Sequence, residues 1–137
     1  MLKYKDGPIG QLRAEFDNAL DPLARFAVVD LTDVMAQEFG VDMLITCVNR
    51  TPEANQAAGG VEKSAHLPIN GIGRAVDLRS FHLTDYQEKF LTAYVKARWG
   101  TVIHCILHQG GTADHFHLNV NFQFSRAQAS EKAKVGI

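Results

Sequence analysis

The chain has 137 residues, a length that suits one compact domain over 1–137 and leaves little room for a second. With 46% hydrophobic and 21% charged residues, its composition is that of an ordinary globular protein and excludes a disordered or fibrous chain. The 14 basic and 15 acidic residues give a formal charge of −1, so the sequence has no basic field that would hold nucleic acid or an anionic membrane.

The pattern of charged and apolar residues at the start of the chain does not predict a targeting signal. Residues 1–14 carry several charges and lack the apolar run of a signal peptide. No later stretch reaches the roughly 18 consecutive apolar residues that a membrane span needs. We therefore expect a protein made in the cytoplasm, without its own signal peptide or membrane anchor.

A long helix over 21–40 is the first predicted element, because Asp21 followed by proline is a strong helix start and a glycine ends the pattern. Its predicted core stripe is Leu23, Phe26, Ala27, Leu31, Val34 and Met35. The short apolar run 41–48 predicts a mostly buried strand. Thr51 then predicts the start of a short helix that the glycines at 59–60 would close.

A loop over 64–73 and a short strand over 75–78 are predicted next. Thr84 and Gln87 form a capping box for a second long helix that should end at Gly100. The predicted core stripe of that helix is Leu83, Tyr86, Phe90, Ala93 or Tyr94, and Ala97.

Two strands, 101–108 and 115–124, should follow on either side of a turn over 109–112, before a C-terminal tail. Alternation in the second strand predicts a buried face of Phe116, Leu118, Val120, Phe122 and Phe124, and a polar face of His115, His117, Asn119, Asn121 and Gln123. In the first strand, His104, Ile106 and His108 would lie opposite Ile103, Cys105 and Leu107. If the strands pair, four histidines converge on one sheet surface.

The two cysteines, Cys47 and Cys105, lie far apart in apolar runs, without a paired-cysteine motif. Two buried free thiols are the favoured interpretation. A disulfide is the alternative if the fold brings their Cα atoms within about 7 Å.

Five polar residues suggest chemistry: Arg50, His66, Asp77, Asp114 and His117. Zinc in a catalytic site is held by three histidine or carboxylate ligands and keeps one position for water, and a nearby carboxylate takes the proton of that water. The two histidines with Asp77 would supply the ligands, and Asp114 the base. Spacing alone also fits a solvated sheet face, a turn-forming aspartate and a surface ion pair.

The surrounding segments resemble the zinc D,D-carboxypeptidase and L-alanyl-D-glutamate endopeptidase family, which acts on peptidoglycan peptides and shares its fold with lysostaphin-type peptidases and the hedgehog signalling domain. The resemblance spans 41–120 and, in its Asp–x–x–His ending, is similar to single-domain phage lysins. Its segments, in chain order, are 49–56 (NRTPEANQ), 59–60 (GG), 64–66 (SAH), 73–78 (GRAVDL) and 114–117 (DHFH).

What the resemblance implies is a set of roles for individual residues. Zn²⁺ would be held by His66, Asp77 and His117. The base would be Asp114, the substrate carboxylate or carbonyl would be bound by Arg50, and the pocket would be shaped in part by Ser64. Apart from the resemblance, we expect His115 either to pack beside the metal site or to donate a hydrogen bond to the developing oxyanion, without binding the metal. The sequence departs from the family pattern in two places: 67–72 lengthens the gap between the first histidine and the acid from seven residues to eleven, and Cys47-Val48-Asn49 stands where relatives often carry a Ser-Gly-Tyr-like turn.

We therefore expect an α+β domain in which an antiparallel sheet is flanked by helices and one sheet face forms the floor of a zinc cleft. The resemblance implies a zinc peptidase that hydrolyses bacterial peptidoglycan stem peptides, as an L-Ala–D-Glu endopeptidase endolysin or a D-Ala–D-Ala carboxypeptidase, after release to the cell wall. The alternatives are a non-hydrolytic zinc or peptidoglycan-binding module, which the longer loop favours, and a virion structural component with a vestigial site.

Overall fold

The computed structural model describes residues 1–57, 64–109 and 114–125. The elements in chain order are β1 (Leu2–Tyr4), α1 (Gln11–Asn18), α2 (Pro22–Phe39), β2 (Met43–Cys47), α3 (Pro52–Ala57), β3 (Ala75–Arg79), α4 (Asp85–Trp99), β4 (Ile103–His108), β5 (His115–Val120) and a 3₁₀ turn (Phe122–Phe124). Three predicted features lie outside the described residues. They are the helix end at the glycines 59–60, the turn over 109–112 except for residue 109, and the C-terminal tail. Within them, no helix is both long and apolar enough to cross a membrane.

The strands form one five-stranded sheet in the order β1-β2-β3-β5-β4. The predicted α+β class is confirmed, but the prediction of a purely antiparallel sheet is wrong because β1 pairs with β2 in parallel. The chain leaves β1, runs through α1 and α2, and returns as β2, and such a helical crossover is what a parallel pair requires. The pairs β2–β3, β3–β5 and β4–β5 are antiparallel.

The long helix α2 begins and ends as predicted. The Asp21 carboxylate accepts a hydrogen bond from the backbone N–H of Leu23, and Gly40 ends the helix in the left-handed conformation at φ 64°. The buried residues are Ala24, Ala27, Val28, Leu31, Thr32 and Met35. The predicted core position of Phe26 is wrong, since its side chain is 57% exposed.

Helix α4 also has the predicted capping box of Thr84 and Gln87, but its predicted core stripe is confirmed only in part, since Leu83 is buried whereas Tyr86 is 70% exposed. The buried apolar residues on the helix are Leu91 and Val95. The predicted aromatic residues form an edge cluster instead, in which the ring of Phe39 contacts those of Tyr86 and Phe90, and Phe90 stacks on Tyr94. The predicted Ala93 and Ala97 are exposed.

One face of the sheet packs against α2 and α4 and forms the core, as the alternation in β4 and β5 predicted. The last strand is shorter than predicted, because β5 ends at Val120. Phe122 and Phe124, predicted as core, lie in the 3₁₀ turn and are 45% and 42% exposed.

The opposite face carries the predicted polar side chains. In the sheet register, His117 lies between Asp77 on β3 and Ile106 on β4, and His115 lies opposite His108. His104 is further along β4, opposite Asn119, so the predicted convergence holds for three of the four histidines. This face is the floor of the candidate site.

Candidate metal centre

Asp77 is the centre of the site. It lies on β3, its residue is 4% exposed, and its Oδ1 atom is 3.0 Å from Nε2 of His66 and 3.1 Å from Nδ1 of His117. The two imidazole rings face each other at an angle of 73°, with their centroids 5.1 Å apart. The structure therefore places His66 and His117, two of the ligands that the resemblance implied, in contact with the third, Asp77.

The outward nitrogen of each ring is held by an oxygen acceptor. Nδ1 of His66 donates to the backbone oxygen of Val48 at 2.6 Å, and Nε2 of His117 donates to Oδ1 of Asn119 at 3.1 Å. The Asn119 amide nitrogen is itself used on a backbone oxygen, which fixes its carbonyl toward the ring. Metal-bound histidines have this arrangement, because the second hydrogen bond fixes the tautomer and leaves the other nitrogen for the metal. The donor set fits Zn²⁺.

The same contacts shift the pKa values of Asp77 and His66. Burial alone would raise the pKa of the Asp77 carboxyl, but hydrogen bonds from His117 and His66 outweigh it and hold that pKa well below its usual range. Burial alone would lower the pKa of His66, but the bond to Asp77 and the neighbouring Cys47 raise it to about 10. The His66–Asp77 contact is therefore an ion pair near neutral pH.

The longer loop before Asp77 does not separate the ligands. Asn70 and Gly71 occupy the centre of a two-residue turn at φ 54° and 78°, closed by reciprocal backbone hydrogen bonds of 3.0 and 3.1 Å between Ile69 and Ile72. An Asn-Gly pair favours this type of turn, because both positions need positive φ. The extra residues therefore form a small closed turn.

His66 is positioned by its own loop. Oγ of Ser64 accepts a hydrogen bond from the backbone N–H of His66 at 3.2 Å. The backbone oxygen of His66 accepts one from the backbone N–H of Arg50 at 2.8 Å. Ser64 was predicted to shape the substrate pocket. In the structure it orients the histidine and also lines a separate cleft beside Leu67 and Phe122.

Arg50 follows β2 and points at the site. Its Nη2 is 3.8 Å from Oδ2 of Asp77, and its Nη1 donates to the buried Asn55 of α3 at 3.4 Å. The short helix predicted from Thr51 thus supplies the side chain that fixes the guanidinium. The arginine is one-quarter exposed (24%), so it can meet a ligand in the cleft.

The two remaining predicted residues lie at the mouth of β5. His115 has Nε2 3.9 Å from Oδ2 of Asp77, and its ring stacks on His108 with centroids 5.1 Å apart. Asp114 precedes the strand, which begins at His115, so strand alternation does not turn it to the core face. Both side chains line the same cleft as Asp77 and Arg50, a space of about 310 Å³.

Cys47 is a site residue that sequence reasoning missed. It was predicted to be a buried thiol, but it is partly exposed, and its Sγ lies 3.6 Å from Nδ1 of His66. A register shift between Ile45 and Cys47 places Cys47 opposite Asp77, whereas simple alternation would have put it on the core face with Ile45. No sequence signal marks this bulge.

Cys47, His66 and Asp77 form a second possible ligand set, since each offers one atom within 4.8 Å of the others. Two ligand sets therefore share His66 and Asp77, with either His117 or Cys47 as the third donor. Both cysteines are free. Burial raises the pKa of the Cys105 thiol to about 12, so that residue is chemically inert near neutral pH.

The arrangement can hold a divalent cation at the edge of an open cleft, with a carboxylate and a guanidinium beside it. A comparison with protein-family models, one with curated proteins and one with solved structures each found no match.

Proposed function

We propose that this protein is a zinc-dependent peptidase that hydrolyses peptidoglycan stem peptides. The observation that carries the proposal is that His66 and His117 both point one ring nitrogen at a single oxygen of Asp77, while oxygen acceptors hold their other nitrogens. A solvated sheet face or a chance ion pair does not need this double orientation.

Two histidines and one carboxylate leave a bound zinc ion with net positive charge. Zinc held by this set supplies Lewis acidity, which polarises a carbonyl group and lowers the pKa of water. His117 is favoured over Cys47 as the third ligand, because its inner nitrogen lies 3.1 Å from the shared carboxylate oxygen, whereas Cys47 lies beside the outward nitrogen of His66.

The other cleft residues then have separate tasks. Asp114 accepts the proton of the attacking water and returns it to the amine that leaves. Arg50, held by Asn55, binds a substrate carboxylate or carbonyl with paired N–H groups. His115 lies on the Asp77 side of the cleft, where it can donate to the developing oxyanion.

The substrate class follows from the family resemblance together with the open cleft. Stem peptides are extended chains with free carboxylates, and an arginine at the edge of the metal site suits such a ligand. The scissile bond is either L-Ala–D-Glu or the terminal D-Ala–D-Ala bond.

The experiment is mass spectrometry of purified peptidoglycan incubated with the protein, with added zinc and in parallel with a chelator. We expect new fragments that disappear with the chelator, and their masses identify the bond. His117→Ala should abolish the fragments, whereas Asp33→Asn, an exposed change on α2, should not. A folded, zinc-loaded protein that releases no fragment but still binds peptidoglycan would replace this proposal with that of a binding module.

A further inference from the structure

The cleft beside the metal centre carries more positive charge than the zinc chemistry uses. Besides Arg50, its lining includes Lys5, which follows β1, and Arg79, the last residue of β3. Three basic residues of a chain with net charge −1 therefore line one space of about 310 Å³, against the two carboxylates of Asp77 and Asp114. Such a concentration attracts anions locally although the protein as a whole does not.

Two of these cations have no counter-ion in the parts of the chain that the structure describes. No carboxylate among residues 1–57, 64–109 and 114–125 lies within 4.0 Å of Lys5 or Arg79. Of the two carboxylates that line the cleft, Asp77 is occupied by the two histidines, and its second oxygen is nearest Arg50 and His115. The other, Asp114, lies more than 4.0 Å from the charged nitrogens of both Lys5 and Arg79. The charge of Lys5 and Arg79 is thus left for a ligand.

Arg79 is held in a geometry suited to binding a carboxylate. Its guanidinium carbon lies 4.8 Å from the ring centroid of Phe81, an exposed residue that lines the same cleft. Stacking uses the flat face of the guanidinium and leaves its N–H edge for paired hydrogen bonds. The exposed ring of Phe81 therefore has a role, which is to support the guanidinium of Arg79.

Lys5 is placed by the sheet. Its backbone N–H donates to the oxygen of Ile45 at 2.9 Å, which keeps the residue beside β2 at the cleft. Lys3, two positions earlier, differs in one respect: its ammonium group pairs with Asp42 at 2.8 Å. Within the described residues, this strand edge therefore carries one lysine that is paired with a carboxylate and one that is not.

We infer that Lys5 and Arg79 form an anion subsite for a second substrate carboxylate, distinct from the group that Arg50 binds. The inference rests on the proposed function, from which the substrate takes its chemistry. In a stem peptide, D-glutamate is linked through its side-chain carboxyl, so its α-carboxylate is a free anion next to the L-Ala–D-Glu bond. The ligand class is an acidic peptide with this carboxylate free, and the amidated peptide should bind poorly.

The test compares two synthetic L-Ala-γ-D-Glu-L-Lys peptides that differ only in whether the D-glutamyl α-carboxylate is free or amidated. Binding is measured by calorimetry on chelator-treated protein, and cleavage on zinc-loaded protein. We expect the free acid to bind about tenfold more tightly, the difference of roughly one charge-assisted hydrogen bond. The preference should shrink as salt is raised, because it is electrostatic.

Four variants, one of them a control, locate the preference. Lys5→Gln and Arg79→Gln should each reduce the ratio of acid to amide affinity toward one, whereas Lys3→Gln, the matched control, should retain it. Phe81→Leu should weaken the preference in part, since it removes the support of Arg79 and not the charge. Circular dichroism checks that each variant is folded.

The outcomes separate this inference from the proposed function. Equal affinity of the wild type for acid and amide, or an unchanged ratio in both Lys5→Gln and Arg79→Gln, would overturn it. An acid preference that depends on Lys5 and Arg79 in a protein that cleaves neither peptide would support the subsite and reject cleavage at L-Ala–D-Glu. Release of no fragment from whole peptidoglycan by the same zinc-loaded protein would reject the peptidase altogether.

Discussion

Asp77 and His117 lie directly opposite each other on β3 and β5, and Oδ1 of the first is 3.1 Å from Nδ1 of the second. Their contact is set by the sheet register, because a slip of one residue would turn either side chain to the core face. His66 is the one proposed ligand that a loop supplies. The closed turn at Asn70 and Gly71 explains how this loop tolerates additional residues without moving the ligand.

The role of Asp114 as the base predicts a separation of metal binding from turnover. Asp114→Asn should retain zinc, because residue 114 is outside the proposed ligand set, and should lower kcat by about 100-fold or more, the usual contribution of a positioned base. Zinc content is measured by atomic absorption, and turnover on the peptide that the wild type cleaves.

Asp33→Asn is the control for this prediction, since it makes the same change at an exposed position of α2. Full turnover in Asp114→Asn would remove Asp114 from the mechanism. Loss of zinc together with turnover would instead make it a ligand.

The identity of the third metal ligand is open to a direct test. His117→Ala should weaken zinc binding by more than about 100-fold, whereas Cys47→Ser should change it by less than about threefold, because metal affinity falls steeply only when a ligand or its support is lost. Cobalt substitution gives an independent measurement. A bound thiolate produces a near-ultraviolet absorption band, which we expect to be absent.

Cys105→Ser, on the core side of β4, is the matched control for the thiol. A thiolate band that Cys47→Ser removes and Cys105→Ser retains would assign the ligands as Cys47, His66 and Asp77.

Much of the scaffold could be predicted because its signals are local. Helix caps at Asp21 and Thr84 and the alternation of β5 each depend on a few neighbouring residues. The rotation of α4 could not be predicted, since Tyr86 and Phe90 look like core residues until the ring of Phe39 is placed beside them.

The candidate site likewise has residues that could be predicted from the sequence and residues that could not. His66, Asp77 and His117 could be paired from the order of the motifs, and the structure places them together. Cys47 could not be assigned to the site, because its direction depends on a bulge in the pairing of β2 with β3. The position of Lys5 depends on β1, a three-residue strand too short to give a pattern.

The pH dependence of the metal-free protein follows from the His66–Asp77 pair. The contact with Asp77 raises the pKa of His66 to about 10 in the folded protein, against 6.5 for an unperturbed histidine, so its stabilising effect is complete below pH 6.5 and is lost as pH rises toward 10. The pKa of Asp77 is lowered, so its contribution is present above its unfolded value of about 3.8 and is lost as pH falls. Stability should be greatest between these limits.

Urea denaturation with a chelator present measures this effect. From pH 6.5 to pH 9, we expect the free energy of unfolding to fall by at least about 1.4 kcal/mol, the equivalent of one pKa unit. His66→Gln should remove the dependence. With saturating zinc the trend should reverse, because the metal competes with protons for the same nitrogens. A flat profile without zinc would show that the pair does not titrate as a unit.

Gly73 links the segment between α1 and α2 to the loop that leads into the site. Its backbone bonds to both Ala19 and Asp21, and a Cβ at this position would overlap the side-chain amide oxygen of Asn49, the residue before Arg50. Because the overlap cannot be relieved without moving Asn49, Gly73→Ala should lower the free energy of unfolding by about 2–3 kcal/mol.

Its control is the double variant Gly73→Ala with Asn49→Ala, compared with each single variant by urea denaturation. Removing the amide makes room for the new methyl group, so the double variant should be more stable than the sum of the two single effects by about 1 kcal/mol. Asn49→Ala alone should be mildly destabilising, since it loses the hydrogen bond from its amide to Ala19. Strict additivity would show that the cost at residue 73 arises from its backbone and not from contact with Asn49.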